Sequence, residues 1–197
     1  MKLLIETESE NNNILFDTSK LSINLIDNKN IYATNYNINL YNIENDNKEL
    51  IVSILGTYYD IIYIIENDLN LYEILNQKIK DNSLLEKIID TYGEIRGEYL
   101  SSFLNLYFIE KIHIEDKYKD KNFDTLLLSN IIRILMFKDK KIIGNIIIKP
   151  ELDYFIEESS TPEYYKYEDK LNKLINSYKN CGFEKIENTK YMILVNE

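Results

Sequence analysis

The residues best able to do chemistry fall between Asn105 and Leu135. Leu106, Phe108, Ile112 and Ile114 alternate with a period of two, which predicts one apolar face of a strand. Glu110 falls on that face. Burial disfavours an ionised carboxylate, so Glu110 there would hold its proton more tightly and would suit a general base. Two plainer expectations stand beside this one. Glu110 could pair with a nearby lysine, or sit where the strand twists into water. His113, the one imidazole, falls on the opposite face and reads as a surface or packed residue.

The strand is followed by a charged loop, Glu115 to Asn122, and then by Leu127, Leu128, Ile131, Ile132 and Leu135. That spacing predicts a helix starting near Asp124, with one apolar face. A strand-loop-helix of this kind aims the helix's first free N–H groups at the strand tip, which is a ready anion site. Lys119 and Lys121 would contact an anion there or remain solvated. Asp124 reads as a helix cap.

The remaining elements must hold this stretch in place. Ile14–Phe16 and Leu21–Ile26 suggest short strands. Tyr36, Ile38 and Leu40 alternate with Asn35, Asn37 and Asn39, which predicts a half-buried strand. Glu44–Lys48 is a turn. Leu50–Ile65 reads as a long central strand, with Gly56 a candidate bulge. Two helices follow: one capped by Asp68, and one by a Ser83/Glu86 capping box. After a turn at Lys138–Lys141, Ile142–Ile148 is an isoleucine-rich strand ended by Pro150. An acidic loop then leads to Thr161-Pro162, which start a helix carrying Tyr167, Leu171, Leu174, Ile175 and Tyr178. Gly182 stops it, and Phe183–Ile186 and Tyr191–Val195 read as closing strands. Tyr178 lies on the apolar stripe, where a core tyrosine with a hydrogen-bonded hydroxyl is the plain expectation. The order predicts a mixed α/β sheet covered by helices, in a single domain over residues 1–197.

Composition narrows the function. The chain has 197 residues, 45% of them hydrophobic, which suits a folded domain. A net charge of −10 argues against nucleic acid as a partner. Cys181 is the one cysteine, so neither an internal disulfide nor a cysteine metal cluster can form, and one histidine excludes a His-rich site; no metal is expected. Cys181 has no local histidine and reads as a small buried residue. No apolar run is long enough to span a membrane. The acidic N-terminus is unlike a signal peptide, so a cytoplasmic location is expected.

Three pieces in this order resemble the GNAT acetyltransferase superfamily. The first is Ile112-His113-Ile114-Glu115-Asp116-Lys117-Tyr118-Lys119, which looks like the fourth strand and the start of the pyrophosphate loop. The second is Ile146-Ile147-Ile148-Lys149-Pro150, which looks like the end of the fifth strand. The third is Tyr178-Lys179-Asn180-Cys181-Gly182-Phe183 before a closing strand. The resemblance covers roughly the last hundred residues and implies a mixed, mostly antiparallel central sheet flanked by helices. It also implies acetyl-CoA as cofactor and transfer of the acetyl group to a primary amine of a small molecule or protein. Ile112, His113, Ile114, Lys119, Lys121, Asn122, Phe123, Asp124 and Thr125 would then contact the cofactor. Tyr178 would protonate the departing thiolate, and Glu110 would be the base that frees the amine.

The loop departs from the family pattern of Arg or Gln, two residues, Gly, one residue, and Gly or Ala. Lys119 keeps a cation, Asn122 replaces the first glycine, and Asp124 replaces the second. Asn tolerates left-handed backbone angles. A carboxylate at Asp124 opposes a diphosphate. The alternative expectation is therefore a GNAT-like binding or regulatory protein that has lost acetyl-CoA.

Overall fold

The structure, a computed structural model, describes residues 21–44, 47–99, 104–139, 142–152 and 162–196. Strands β1 (Leu21–Asn30), β2 (Ala33–Glu44), β3 (Asn47–Tyr59) and β4 (Leu106–Ile114) run antiparallel in sequence. The short strands β5 (Asn145–Ile148), β6 (Glu184–Lys185) and β7 (Met192–Val195) complete one sheet of order β1-β2-β3-β4-β5-β7-β6. Among the described residues only β4 and β5 pair in parallel. The result is the mixed sheet covered by helices that the order of elements predicts, mostly antiparallel as the resemblance implies. The Ile14–Phe16 strand and Thr161 lie outside the described residues.

Leu50–Ile65 is not one strand. It ends at Tyr59, and the Asp60 carboxylate accepts the Tyr63 N–H at 3.0 Å to start α1 (Ile61–Glu66). The isoleucines imitate a strand, but Ile61 and Ile64 are both fully buried, a helical i, i+3 pair. Asn70, not Asp68, caps α2 (Leu71–Ile79), and Asp68 takes a left-handed turn with φ 52°. Asp81, not Ser83, caps α3 (Asn82–Ile88).

The single helix predicted from Asp124 is two: α4 (Phe123–Leu128) and α5 (Ile131–Asp139). Between them the Ser129 hydroxyl donates to the Thr125 carbonyl and the Asn130 amide to the Leu126 carbonyl, local bonds that compete with the helical ladder. Asn122 holds the cap position of α4, so Asp124 is its second residue and not its cap. Helix α6 (Pro162–Asn180) ends as expected at Gly182, whose φ of 93° suits glycine.

The register of β3 on β4 steps from Leu55↔Lys111 to Gly56↔Ile109, leaving Glu110 as an extra residue. This bulge reverses the alternation along β4. Leu106 and Phe108 face a core built with α1, α2 and α3. Tyr107 and Ile109, then Ile112 and Ile114 beyond the bulge, face a second core with α4, α5 and α6. The four apolar residues read as one face therefore divide between two. Gly56 sits at this bulge as expected, and a side chain on it would lie 2.7 Å from the Phe108 carbonyl and from the Tyr107 ring.

Candidate functional site

Strands β4 and β5 pair from Leu106↔Asn145 to Ile109↔Ile148 and then part. Two local features separate them. The bulge at Glu110 adds twist to β4. Pro150 has no N–H to continue the ladder from β5. Beyond Ile109 the β4 edge facing β5 has no strand partner among the described residues. The gap opens as a cleft of about 510 Å³. Its walls are Ile109, Glu110, Lys111, Ile112 and Ile114 of β4, Lys119 and Asp124 of the following turn, Ile148 to Leu152 with Pro150 excepted, and Leu174 and Tyr178 of α6.

Glu110 reaches the cleft from the α2 side. Its Oε1 accepts the Thr57 hydroxyl at 2.7 Å and pairs with Lys78 Nζ at 3.2 Å. Its side chain is 22% exposed. Of the expectations for Glu110, lysine pairing is present; the bulge turns Ile112 and Ile114 to the opposite face and leaves Leu106 and Phe108 on the side of Glu110. Tyr178 reaches the same cleft from the other face of the sheet, where its ring packs 6.3 Å from Phe183. Burial pushes the Tyr178 phenol well above its ordinary range, and the Asp124 charge adds to this. The group keeps its proton near neutrality, as an ordinary phenol does, and the upward shift makes it a weaker donor.

Ile112, His113 and Ile114 pair with Ile54, Ser53 and Val52 of β3 on one edge, and the Ile112 and Ile114 side chains line the cleft. His113 is half-exposed, with Nε2 3.3 Å from Glu115 Oε1. The turn after β4 is a short 3-10 segment, Asp116–Lys121, anchored by Tyr118. The Tyr118 ring is buried edge-on against Phe123 at 5.8 Å, and its hydroxyl donates to Glu49 at 3.0 Å. Lys117 pairs with Glu49, and this hydrogen bond lowers the Glu49 pKa and raises that of Lys117. Lys119 pairs with Asp116 at 2.9 Å, which holds the Asp116 carboxyl below its usual range. Lys121 Nζ lies 5.4 Å from the centre of the Tyr118 ring.

Asn122 has φ 52° and ψ 32°, the left-handed conformation that glycine adopts freely and asparagine tolerates. Asp124 is only 8% exposed, and it lines the cleft. Thr125 is half-buried, and its carbonyl accepts the Ser129 hydroxyl. Cys181 lies against Ser129, and burial pushes its thiol up. No group of three or more His, Cys, Asp or Glu that could hold a metal occurs among the described residues.

The fold thus brings Glu110, Ile112, Ile114, Lys119, Asp124 and Tyr178 onto one cleft, and leaves His113, Lys121, Asn122, Phe123 and Thr125 off its wall. Sequence reasoning missed Thr57 and Lys78 as partners of Glu110. Thr57 carries a weak signal, a polar residue in an apolar run. Lys78 carries none, because its approach depends on how α2 docks.

No protein-family model and no curated protein matches the chain. Among solved structures, a crystal structure of a point mutant of KacT is similar over 82% of this chain and 71% of that one, with a TM-score of 0.41 and 9% identity. The architecture is a mixed, mostly antiparallel sheet flanked by helices, and no helix among the described residues is long and apolar enough to cross a membrane.

Proposed function

We propose that the protein is a GNAT-type N-acetyltransferase that uses acetyl-CoA and a primary amine. The observation carrying this reading is the cleft between the parted strands β4 and β5, with Glu110 and Tyr178 entering it from opposite faces of the sheet. The unpaired edge of β4 fits a chain of amides, and the Ile112–Ile114 segment would hold the pantetheine arm through its backbone. Asn122 takes the left-handed conformation at the position where the resemblance places a glycine. When bound, acetyl-CoA supplies an activated thioester.

Tyr178 holds a proton on its hydroxyl at neutral pH and would release it to the leaving sulfur. Glu110 would take a proton from the attacking amine. Lys78 Nζ lies 3.2 Å from Glu110 Oε1, so Glu110 would have to exchange this partner for the acceptor amine.

Calorimetric titration with acetyl-CoA tests the reading, with micromolar binding expected. Tyr178→Phe is expected to lower turnover by roughly 100-fold, the low end for a general acid, while leaving acetyl-CoA binding unchanged. Unchanged turnover would remove Tyr178 from the mechanism.

Asp124 favours a second reading, a binding module that has lost the cofactor. The buried carboxylate lies on the wall where the resemblance places phosphates. That reading expects no binding at millimolar acetyl-CoA.

A further inference from the structure

Asp124, the second residue of α4, puts a carboxylate on the cleft wall that a diphosphate would meet. Asp124 is 8% exposed and lies on the cleft wall, so its carboxylate faces any anion lodged there with little water between them. Lys117 pairs with Glu49 and Lys121 lies over the Tyr118 ring, both off the wall; Lys119, paired with Asp116, lines the cleft with Lys111 and Lys149. Helix α4 has six residues, too few to offset a carboxylate by its dipole. The other half of the cleft is different. The unpaired β4 edge offers backbone donors and acceptors, flanked by Ile112 and Ile114, which suits an uncharged chain of amides.

On the acyl-transfer reading above, we propose that the cleft recognises its donor by the pantetheine arm alone and that Asp124 discriminates against the diphosphate. The donor class that fits best is an acyl thioester of pantetheine without a diphosphate, and acetyl-CoA binds in spite of its phosphates.

Calorimetry of the unaltered protein with acetyl-pantetheine and with acetyl-CoA, at low salt, tests this. Acetyl-pantetheine is expected to bind at least as tightly as acetyl-CoA. Asp124→Asn, which keeps the shape and removes the charge, is expected to raise acetyl-CoA affinity by roughly tenfold and to leave acetyl-pantetheine within about twofold. Acetyl-CoA binding at least about tenfold tighter than acetyl-pantetheine in the unaltered protein would overturn the inference and leave the acyl-transfer reading standing. So would an Asp124→Asn protein in which the ratio of the two affinities does not change. Binding of neither thioester would overturn both. The first comparison needs no variant, so a folding defect in Asp124→Asn would not shield the idea.

Discussion

Gly56 and Tyr107 show how one position fixes the geometry of the cleft. A Cβ on Gly56 would lie 2.7 Å from the Phe108 carbonyl and equally close to the Tyr107 ring and hydroxyl. The carbonyl belongs to the β3–β4 ladder just before the bulge and cannot move without disturbing it. Gly56→Ala is therefore expected to destabilise the protein by about 2 kcal/mol, as overpacking does, read from the midpoint of urea unfolding. A midpoint equal to that of the unaltered protein would mean the contact relaxes freely. Tyr107 gives the opposite sign. Its hydroxyl is buried with no hydrogen-bond partner among the described residues. Tyr107→Phe removes an uncompensated polar group while keeping the ring, and is expected to raise stability by about 1 kcal/mol in the same measurement. A loss of stability would show that the hydroxyl is satisfied in solution.

At the scale of elements, helix caps are the sharpest case. The Asp81 carboxylate accepts the Ser83 hydroxyl at 2.6 Å and the amides of Ser83 and Leu84 at 3.1 and 3.3 Å. The Ser83 hydroxyl is the largest cause lowering the Asp81 pKa below 3.8; burial opposes it, and the two amides and Tyr191 add to the lowering. A depressed folded pKa means that the ionised form stabilises the fold above the unfolded value. That contribution is lost as the pH falls below 3.8 through the lowered folded value. Asp81→Ala is expected to cost about 1 kcal/mol at pH 7. The gap between variant and unaltered protein should close toward pH 2 in a series of urea melts. A gap independent of pH would mean that packing, not charge, is lost.

Most elements were legible from the sequence, because period and punctuation mark them. Tyr36, Ile38 and Leu40 mark β2, and Gly182 marks the end of α6. Their joints were not. Asp81 and Ser83 are equally good caps by type, and the structure places Asp81 there. Leu106–Ile109 is apolar throughout and alternation begins only beyond Glu110, so the spacing of apolar residues does not reveal the bulge. The bulge decides which face Ile112 and Ile114 present, and with them the surroundings of Glu110. The cleft itself was legible only through the resemblance, since the parting of β4 from β5 needs the bulge and Pro150 together.

For the whole molecule, the sheet is the shared wall of two cores. Leu127 and Leu128 of α4, with Tyr178 and Phe183, pack on one face. Leu71 and Leu75 of α2, Leu84 and Leu85 of α3, and Tyr191 pack on the other. Strands β3, β4, β5 and β7 contribute side chains to both. Neither core can lose its floor without exposing the underside of the other, so we expect the two to unfold together. Leu127→Ala and Leu75→Ala, each fully buried but on opposite faces, test the coupling. Each is expected to cost roughly 2–5 kcal/mol. The chain has 17 tyrosines and no tryptophan, so near-ultraviolet circular dichroism reports tyrosines in both cores. In each variant the near- and far-ultraviolet signals should fall at one shared midpoint, lower than that of the unaltered protein. A variant whose two signals separate, with one core melting while the other holds, would divide the chain into two units. The cleft would then lie on the wall of the α4–α6 unit alone, and Glu110, held by Lys78 from the α2 side, would lose its registry with Tyr178 as soon as the α2 core opened.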